Sequence, residues 1–149
     1  MARILIVAHA PLASSLLEVA QHVFPDCSDS LRAVDVPAQL NMEEAQGLVR
    51  MALSESGSEE VLILTDVFGA TPCNAALAVA DSARARVVAG VNVPMLWRTL
   101  CYREQVLEEL VGRAVAGAAQ GVMHVAVPRR QHQSVSVPTH DQVDHHHQQ

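Results

Sequence analysis

Two side chains able to do acid–base or nucleophilic chemistry follow directly on apolar runs: His9 after Arg3-Ile4-Leu5-Ile6-Val7-Ala8, and Asp66 after Glu60-Val61-Leu62-Ile63-Leu64-Thr65. Short β-branched runs without polar alternation read as strands buried on both faces of a parallel sheet. In an open sheet of that kind, the residue just past a strand's carboxyl end stands at the rim where ligands collect. If the two strands are neighbours, the imidazole and the carboxylate share that rim. A carboxylate that accepts one ring N–H fixes the tautomer and leaves the other nitrogen's lone pair free as a nucleophile. It also stabilises the positive charge that develops during attack.

A third group extends the constellation. In Asp66-Val67-Phe68-Gly69-Ala70-Thr71-Pro72-Cys73-Asn74, Gly69 permits a sharp turn, Thr71 reads as an N-cap, and Pro72 suits the first helical position. The free N–H groups of that helix then face the same rim and form an anion site beside the nucleophile. Each feature alone has an ordinary structural explanation. A histidine at a strand end is commonly just hydrogen-bonded, an aspartate before a glycine turn commonly forms the turn, and Thr-Pro is a good helix start. It is their convergence that points to chemistry.

The elements needed to position these groups are legible along the chain. After the first strand, Pro11 opens an amphipathic helix with Leu16, Leu17, Val19, Ala20 and Val23 on its apolar stripe and Ser14 or Ser15 as its cap. Pro25-Asp26 breaks it. A second strand runs over residues 31–36 to Pro37, and Asn41 with Glu44 three residues on reads as a capping-box variant opening a second helix. The strand before Asp66 is the most apolar and is expected to be central. A third helix starts at Thr71 or Pro72, a fourth strand spans residues 85–91, and one long or broken helix fills residues 95–115. After the Gly117-Ala118-Ala119-Gln120-Gly121 tract, residues 121–127 read as a last strand, in which Val122, His124 and Ala126 alternate as suits an edge strand. From Pro128 the composition turns to Arg, Gln, His, Ser and Pro, which predicts a polar, His/Gln-rich disordered tail over residues 128–149. The order β-α-β-α-β-α-β-α-β predicts a parallel sheet with helices on both faces.

Composition narrows the function classes. The chain of 149 residues has 50% hydrophobic residues, enough for one sizeable core. Its net charge is −6 and it contains no lysine, which argues against a nucleic-acid surface. No apolar run reaches the roughly 18 residues of a spanning helix, and the first residues lack a secretory signal. A cytoplasmic protein without direct membrane insertion is expected. Cys27, Cys73 and Cys101 are widely spaced and fit neither a disulfide framework nor a zinc pattern. His145-His146-His147 is compositionally able to bind metal, but reads as an incidental tail, and no native metal is assigned. Trp97, Met95 and Leu100 have the helical spacing of a core or interface stripe, while Arg98 and Arg103 read as solvated.

The runs Ile6-Val7-Ala8-His9, Asp66 to Asn74, and Ala89-Gly90-Val91-Asn92-Val93-Pro94-Met95-Leu96, taken in that order and spacing, resemble the mannose-family enzyme IIA domain of the bacterial phosphoenolpyruvate:sugar phosphotransferase system. The resemblance extends over residues 1–127. It implies an α/β fold with a parallel four-stranded sheet, helices on both faces, and a C-terminal antiparallel edge strand exchanged between the subunits of a homodimer. Residues 121–127 are placed to supply that strand. It also implies a phosphocarrier that accepts a phosphoryl group from the phosphohistidine of the small carrier HPr and passes it to a IIB component. His9 matches the phosphorylated histidine, Asp66 the carboxylate that orients it, and Thr71, with the Gly69 turn, the group near the phosphoryl oxygens. Asn92, Pro94 and Met95 match a loop near the site and the dimer contact. Asp66 is expected to accept the Nδ1–H of His9, which leaves Nε2 to carry the phosphoryl group. No metal or cofactor is required. Ala70 departs from the family pattern, where glycine is common.

Two other readings stand beside this one. In the first, the chain is a regulatory module whose phosphorylation state another protein reads, without sugar transport; the absence of a IIB domain after the tail keeps it open. In the second, it is the phosphotransferase subunit of dihydroxyacetone kinase, against which the Phe-Gly-Ala-Thr-Pro and Val-Asn-Val-Pro-Met-Leu segments side with the mannose branch. A receiver-like domain is disfavoured because the acidic pair it needs after the first strand is missing.

Overall fold

The computed structural model describes residues 1–131. Four strands, β1 (Arg3–His9), β2 (Leu31–Val36), β3 (Val61–Thr65) and β4 (Ala85–Ala89), form one sheet in the order β2-β1-β3-β4. All three pairings are parallel, with Val7 opposite Val34 on one side and Thr65 on the other. The chain moves outward from β1 to β2, crosses back to β3, and continues to β4. The strand order therefore reverses between β1 and β3, and an open parallel sheet has its ligand crevice at the carboxyl ends of such a pair.

The absence of alternation in β1 and β3 follows from their burial on both faces. All five β3 residues are buried, as are Ile4, Leu5, Ile6, Val7 and Ala8 of β1. Ile4, Ile6, Leu62 and Leu64 pack under α1 (Leu12–Val23), α4 (Val93–Cys101) and α5 (Leu107–Gly121), with Leu16, Leu96 and Leu110 among their neighbours. Leu5, Val7 and Ile63 pack on the other face under α2 (Met42–Ser54) and α3 (Thr71–Val79), against Val49 and Ala76. Each such side chain, removed from water, contributes about 1.5–3 kcal/mol, so these two strands anchor both layers. The α/β architecture with helices on both faces is as the sequence predicts.

Several local expectations are corrected. Ser14 and Ser15 do not cap α1; Pro11 is its N-cap residue, and both hydroxyls donate back to the Pro11 carbonyl. The strand expected over residues 85–91 ends at Ala89, where Gly90 turns the chain at φ +91°. Arg103 is not a free solvated cation, because it donates to Asp26 at 2.8 Å. Of the two forms expected over residues 95–115, one long or broken helix, the broken form is found, as α4 and α5. The Gly117 to Gly121 tract forms the last turn and a half of α5. The fifth strand does not form within the chain: Gly121 closes α5, and residues 122–131 run without regular structure. Val122, Met123, Val125 and Val127 there are exposed.

The glycines of this tract are explained by close approach. A Cβ on Gly117 would lie 2.7 Å from the Cβ of Arg98, and one on Gly121 would overlap Pro94. α5 thus rests its backbone on the first turns of α4. Gly117→Ala is expected to destabilise the chain even though alanine favours a helix over glycine by about 1 kcal/mol. Overpacking against a stem carbon costs about 1–3 kcal/mol. Denaturant unfolding of the variant would show the net sign, and a rise in midpoint would refute the close-packing account.

Candidate functional site

At the carboxyl edge, β1 and β3 deliver His9 and Asp66 to one point. His9 Nδ1 and Asp66 Oδ2 are 2.6 Å apart. The same oxygen accepts the His9 backbone N–H at 3.0 Å, and Oδ1 accepts the Val67 N–H at 2.8 Å. The His9 side chain is 49% exposed and the Asp66 side chain 12%. The carboxylate is therefore enclosed and fixed by three donors, while the imidazole presents its far edge to solvent. Burial alone would raise the Asp66 pKa; the hydrogen bonds from the His9 backbone and ring, and from Val67, outweigh it and hold the carboxyl below its ordinary value. Asp66 is an anion beside the ring.

The turn after Asp66 carries the other expected residues. Gly69 adopts φ +90°, a conformation that a side chain would strain, and its carbonyl accepts Asn74 Nδ2 at 3.1 Å. Thr71 is not the N-cap of α3. Ala70 takes that position in an extended conformation, with no side-chain cap, and Thr71 is the first helical residue. The Thr71 hydroxyl is accordingly not used in capping. Val67 and Phe68, at the tip of the turn, are exposed.

The four helices that begin at this edge differ in how their first amides are used. Asn41 Oδ1 accepts from Glu44 in α2, completing the predicted capping box. Asn92 Oδ1 accepts from Met95 in α4 at 2.8 Å, and Asp35 Oδ1 reaches from β2 to accept the Ser14 N–H of α1 at 3.0 Å. α3, the helix beside His9 and Asp66, has no such side chain. Its N-terminal N–H groups and partial positive charge are directed at the edge where the imidazole stands.

Asn92, Pro94 and Met95 lie at the neighbouring β4–α4 turn. This turn is tied to the site by the backbone, since Gly90 and Val91 donate to the carbonyls of Asp66 and Thr65. Asn92 also donates to the Ala118 carbonyl, and Met95 is buried in the core, so these two side chains help to lock the turn. Asp35 was not singled out from sequence. The signal was an aspartate, a residue type depleted from strands, one position before the strand end.

Among the described residues, no three His, Cys, Asp or Glu side chains converge as a metal cluster, and no helix is long and apolar enough to cross a membrane. The His145-His146-His147 triplet lies outside the described residues. A concavity of about 240 Å³ lined by Arg50, Ser54, Asp81 and Arg84 sits at the opposite, amino-terminal edge of the sheet. Arg84 there is engaged by Asp81 and the Gly57 carbonyl, and nothing in it is shared with His9.

Comparison with known proteins matches this geometry to a family. A family profile described as "EIIA-man: PTS system fructose IIA component" matches residues 3–115. The PTS system fructose-specific EIIA component of Bacillus subtilis is 32% identical over 123 residues, covering 80% of this chain and 84% of that protein. The PTS system mannose-specific EIIAB component of Escherichia coli is 45% identical over 65 residues, which is 42% of this chain and 20% of that protein. Among solved structures, the EIIA component from Streptococcus agalactiae superposes with a TM-score of 0.71 at 25% identity, covering 83% of this chain and 97% of that one. The mannose/sorbose-specific IIA subunit from Enterococcus faecalis gives 0.79 at 24% identity over 87% and 98%, a likeness of fold.

Proposed function

Because the chain belongs to the mannose/fructose EIIA family of the phosphotransferase system, we propose that it is a phosphocarrier that takes a phosphoryl group from phospho-HPr onto His9 and hands it to a IIB component. The observation that carries this reading is the 2.6 Å contact between His9 Nδ1 and Asp66 Oδ2, with the rest of the ring open to solvent. With Nδ1 held by the carboxylate, Nε2 is the nitrogen that attacks phosphorus. The new N–P bond forms in line as the P–N bond to the carrier's histidine breaks, and the electron pair of that bond returns to the carrier's imidazole. Asp66 stabilises the charge that appears on the His9 ring. Thr71 and the uncapped amides of α3 receive the phosphoryl oxygens at the Gly69 turn. Transfer to IIB is the same exchange with His9 as donor.

The chain acts as a homodimer in this reading. Residues 122–127 expose four large apolar side chains and β4 is an edge of the sheet; a second copy supplies what an extended segment lacks within its own chain.

Incubation of the full chain with enzyme I, HPr and labelled phosphoenolpyruvate tests the proposal. One phosphoryl group per chain, bonded to imidazole Nε2 by ¹⁵N and ³¹P NMR, is the expected result. Phosphorus on Nδ1 would refute the tautomer assignment, and no incorporation would refute the carrier reading.

A further inference from the structure

Asp35 lies on β2, opposite Ala8 in the register, and nothing in the reaction as described uses it. Its carboxylate is nonetheless committed to the chain segment that carries His9. Three backbone N–H groups leading out of β1 are held by β2 and by Asp66, the residue just past β3. The His9 N–H goes to Asp66 Oδ2 at 3.0 Å, Ala10 N–H to the Val36 carbonyl at 3.0 Å, and Ser14 N–H to Asp35 Oδ1 at 3.0 Å. Between the second and third tether stands Pro11, which has no N–H to offer. α1 has no side-chain cap of its own and no acidic residue in its first turn, so the anion that complements its N-terminus comes from the neighbouring strand.

From this arrangement we infer that Asp35 is a positioning residue for His9. It anchors the start of α1 to β2, and thereby fixes the far end of the short His9-Ala10-Pro11 connection whose near end Asp66 holds. The inference rests on the phosphocarrier reading for its consequence, because in-line attack by a ring nitrogen is sensitive to small displacements of the ring. The role belongs to the position of the acceptor oxygen and not to the charge. An asparagine keeps an acceptor oxygen in place and loses the charge; a glutamate keeps the charge and moves the oxygen by one methylene.

The test compares Asp35→Asn and Asp35→Glu in the full chain with Val49→Ala, a core variant of α2 remote from His9. Two readouts are taken, the ¹⁵N shifts of the His9 ring nitrogens and the rate of phosphoryl acceptance from phospho-HPr. Asp35→Glu should give a mixed His9 tautomer and acceptance slower by about tenfold, with Asp35→Asn and Val49→Ala both within about twofold of the parent chain. The inference is overturned if Asp35→Glu shifts only the melting temperature, as Val49→Ala does, or if Asp35→Asn loses as much as Asp35→Glu. A parent chain that accepts no phosphoryl group sinks the carrier reading, while the ring shifts still decide for or against Asp35.

Discussion

His9→Gln is expected to take no phosphoryl group from phospho-HPr while remaining folded. The glutamine amide can still donate to Asp66, but it offers no basic nitrogen lone pair, so the covalent intermediate cannot form. A loss on the order of 10³-fold or more, down to background labelling, is what removal of a nucleophile produces. The fold is expected to tolerate the change because the side chain is 49% exposed and the glutamine amide keeps a donor for the Asp66 carboxylate. Acid-labile label per chain and a thermal melt, measured on the same sample, check both halves. The other described histidines provide a built-in control. His22 is exposed on α1 and His124 lies in the segment after α5, and neither stands at the sheet crevice. Label that survives in His9→Gln would transfer the carrier role to one of the remaining histidines and remove the central claim.

The second large effect is expected at Asp66. Asparagine is nearly isosteric, yet its amide donates where the carboxylate accepts, which reverses the hydrogen bond at Nδ1 and favours the tautomer with its proton on Nε2. That proton occupies the nitrogen proposed to attack. A histidine whose orienting carboxylate becomes an amide loses about 10⁴ in rate in the well-studied Ser-His-Asp arrangement. Here, where there is no proton abstraction to lose, a fall of about 10² to 10⁴ in phosphoryl acceptance is expected for Asp66→Asn, read by rapid-quench labelling. A rate within a few-fold of the parent chain would show that the carboxylate is structural.

The same residue links stability to pH. Its carboxyl is held below the ordinary value in the folded chain, so the folded state favours the charged form. That contribution is present above about pH 4, the value in an unfolded chain, and is lost as the pH falls through the lower folded value. The stability gap between the parent chain and Asp66→Asn should therefore shrink on acidification below about pH 4. Urea titrations of both proteins at several pH values would reveal it.

Much of the candidate site is legible in sequence because His9 and Asp66 sit at the ends of the two runs that are buried on both faces. Such runs declare themselves without alternation, and parallel pairing brings their carboxyl ends level. The capping box at Asn41 and Glu44 is legible for a similar reason, since its donors and acceptors are three residues apart. What the sequence conceals is tertiary. Asp35 caps a helix that begins earlier in the chain, 21 residues from its donor, so no local pattern marks it. Ala70 displaces Thr71 from the cap because the turn at Gly69, with Asn74 bonded back to its carbonyl, fixes where α3 begins. The glycines at 117 and 121 look like helix breakers by propensity. They are required instead by the Arg98 and Pro94 side chains against which α5 packs. The alternation over residues 121–127 reads as a strand, but a strand needs a partner, and the sheet within the chain ends at β4.

The reversal of strand order between β1 and β3 has a consequence for when the protein becomes competent. β1 and β2 are consecutive and can pair early, with α1 between them. That unit already contains His9, yet the carboxylate lies 57 residues further on and arrives only when β3 docks on the opposite side of β1. Closing so long a loop is among the slower events in folding a sheet of this kind. A nascent or partly unfolded chain thus exposes a histidine that has not acquired its chemistry. Under the proposed carrier function, phosphoryl capture would be reserved for molecules whose long-range sheet is complete, and the donor, in effect, would inspect the fold before committing its cargo.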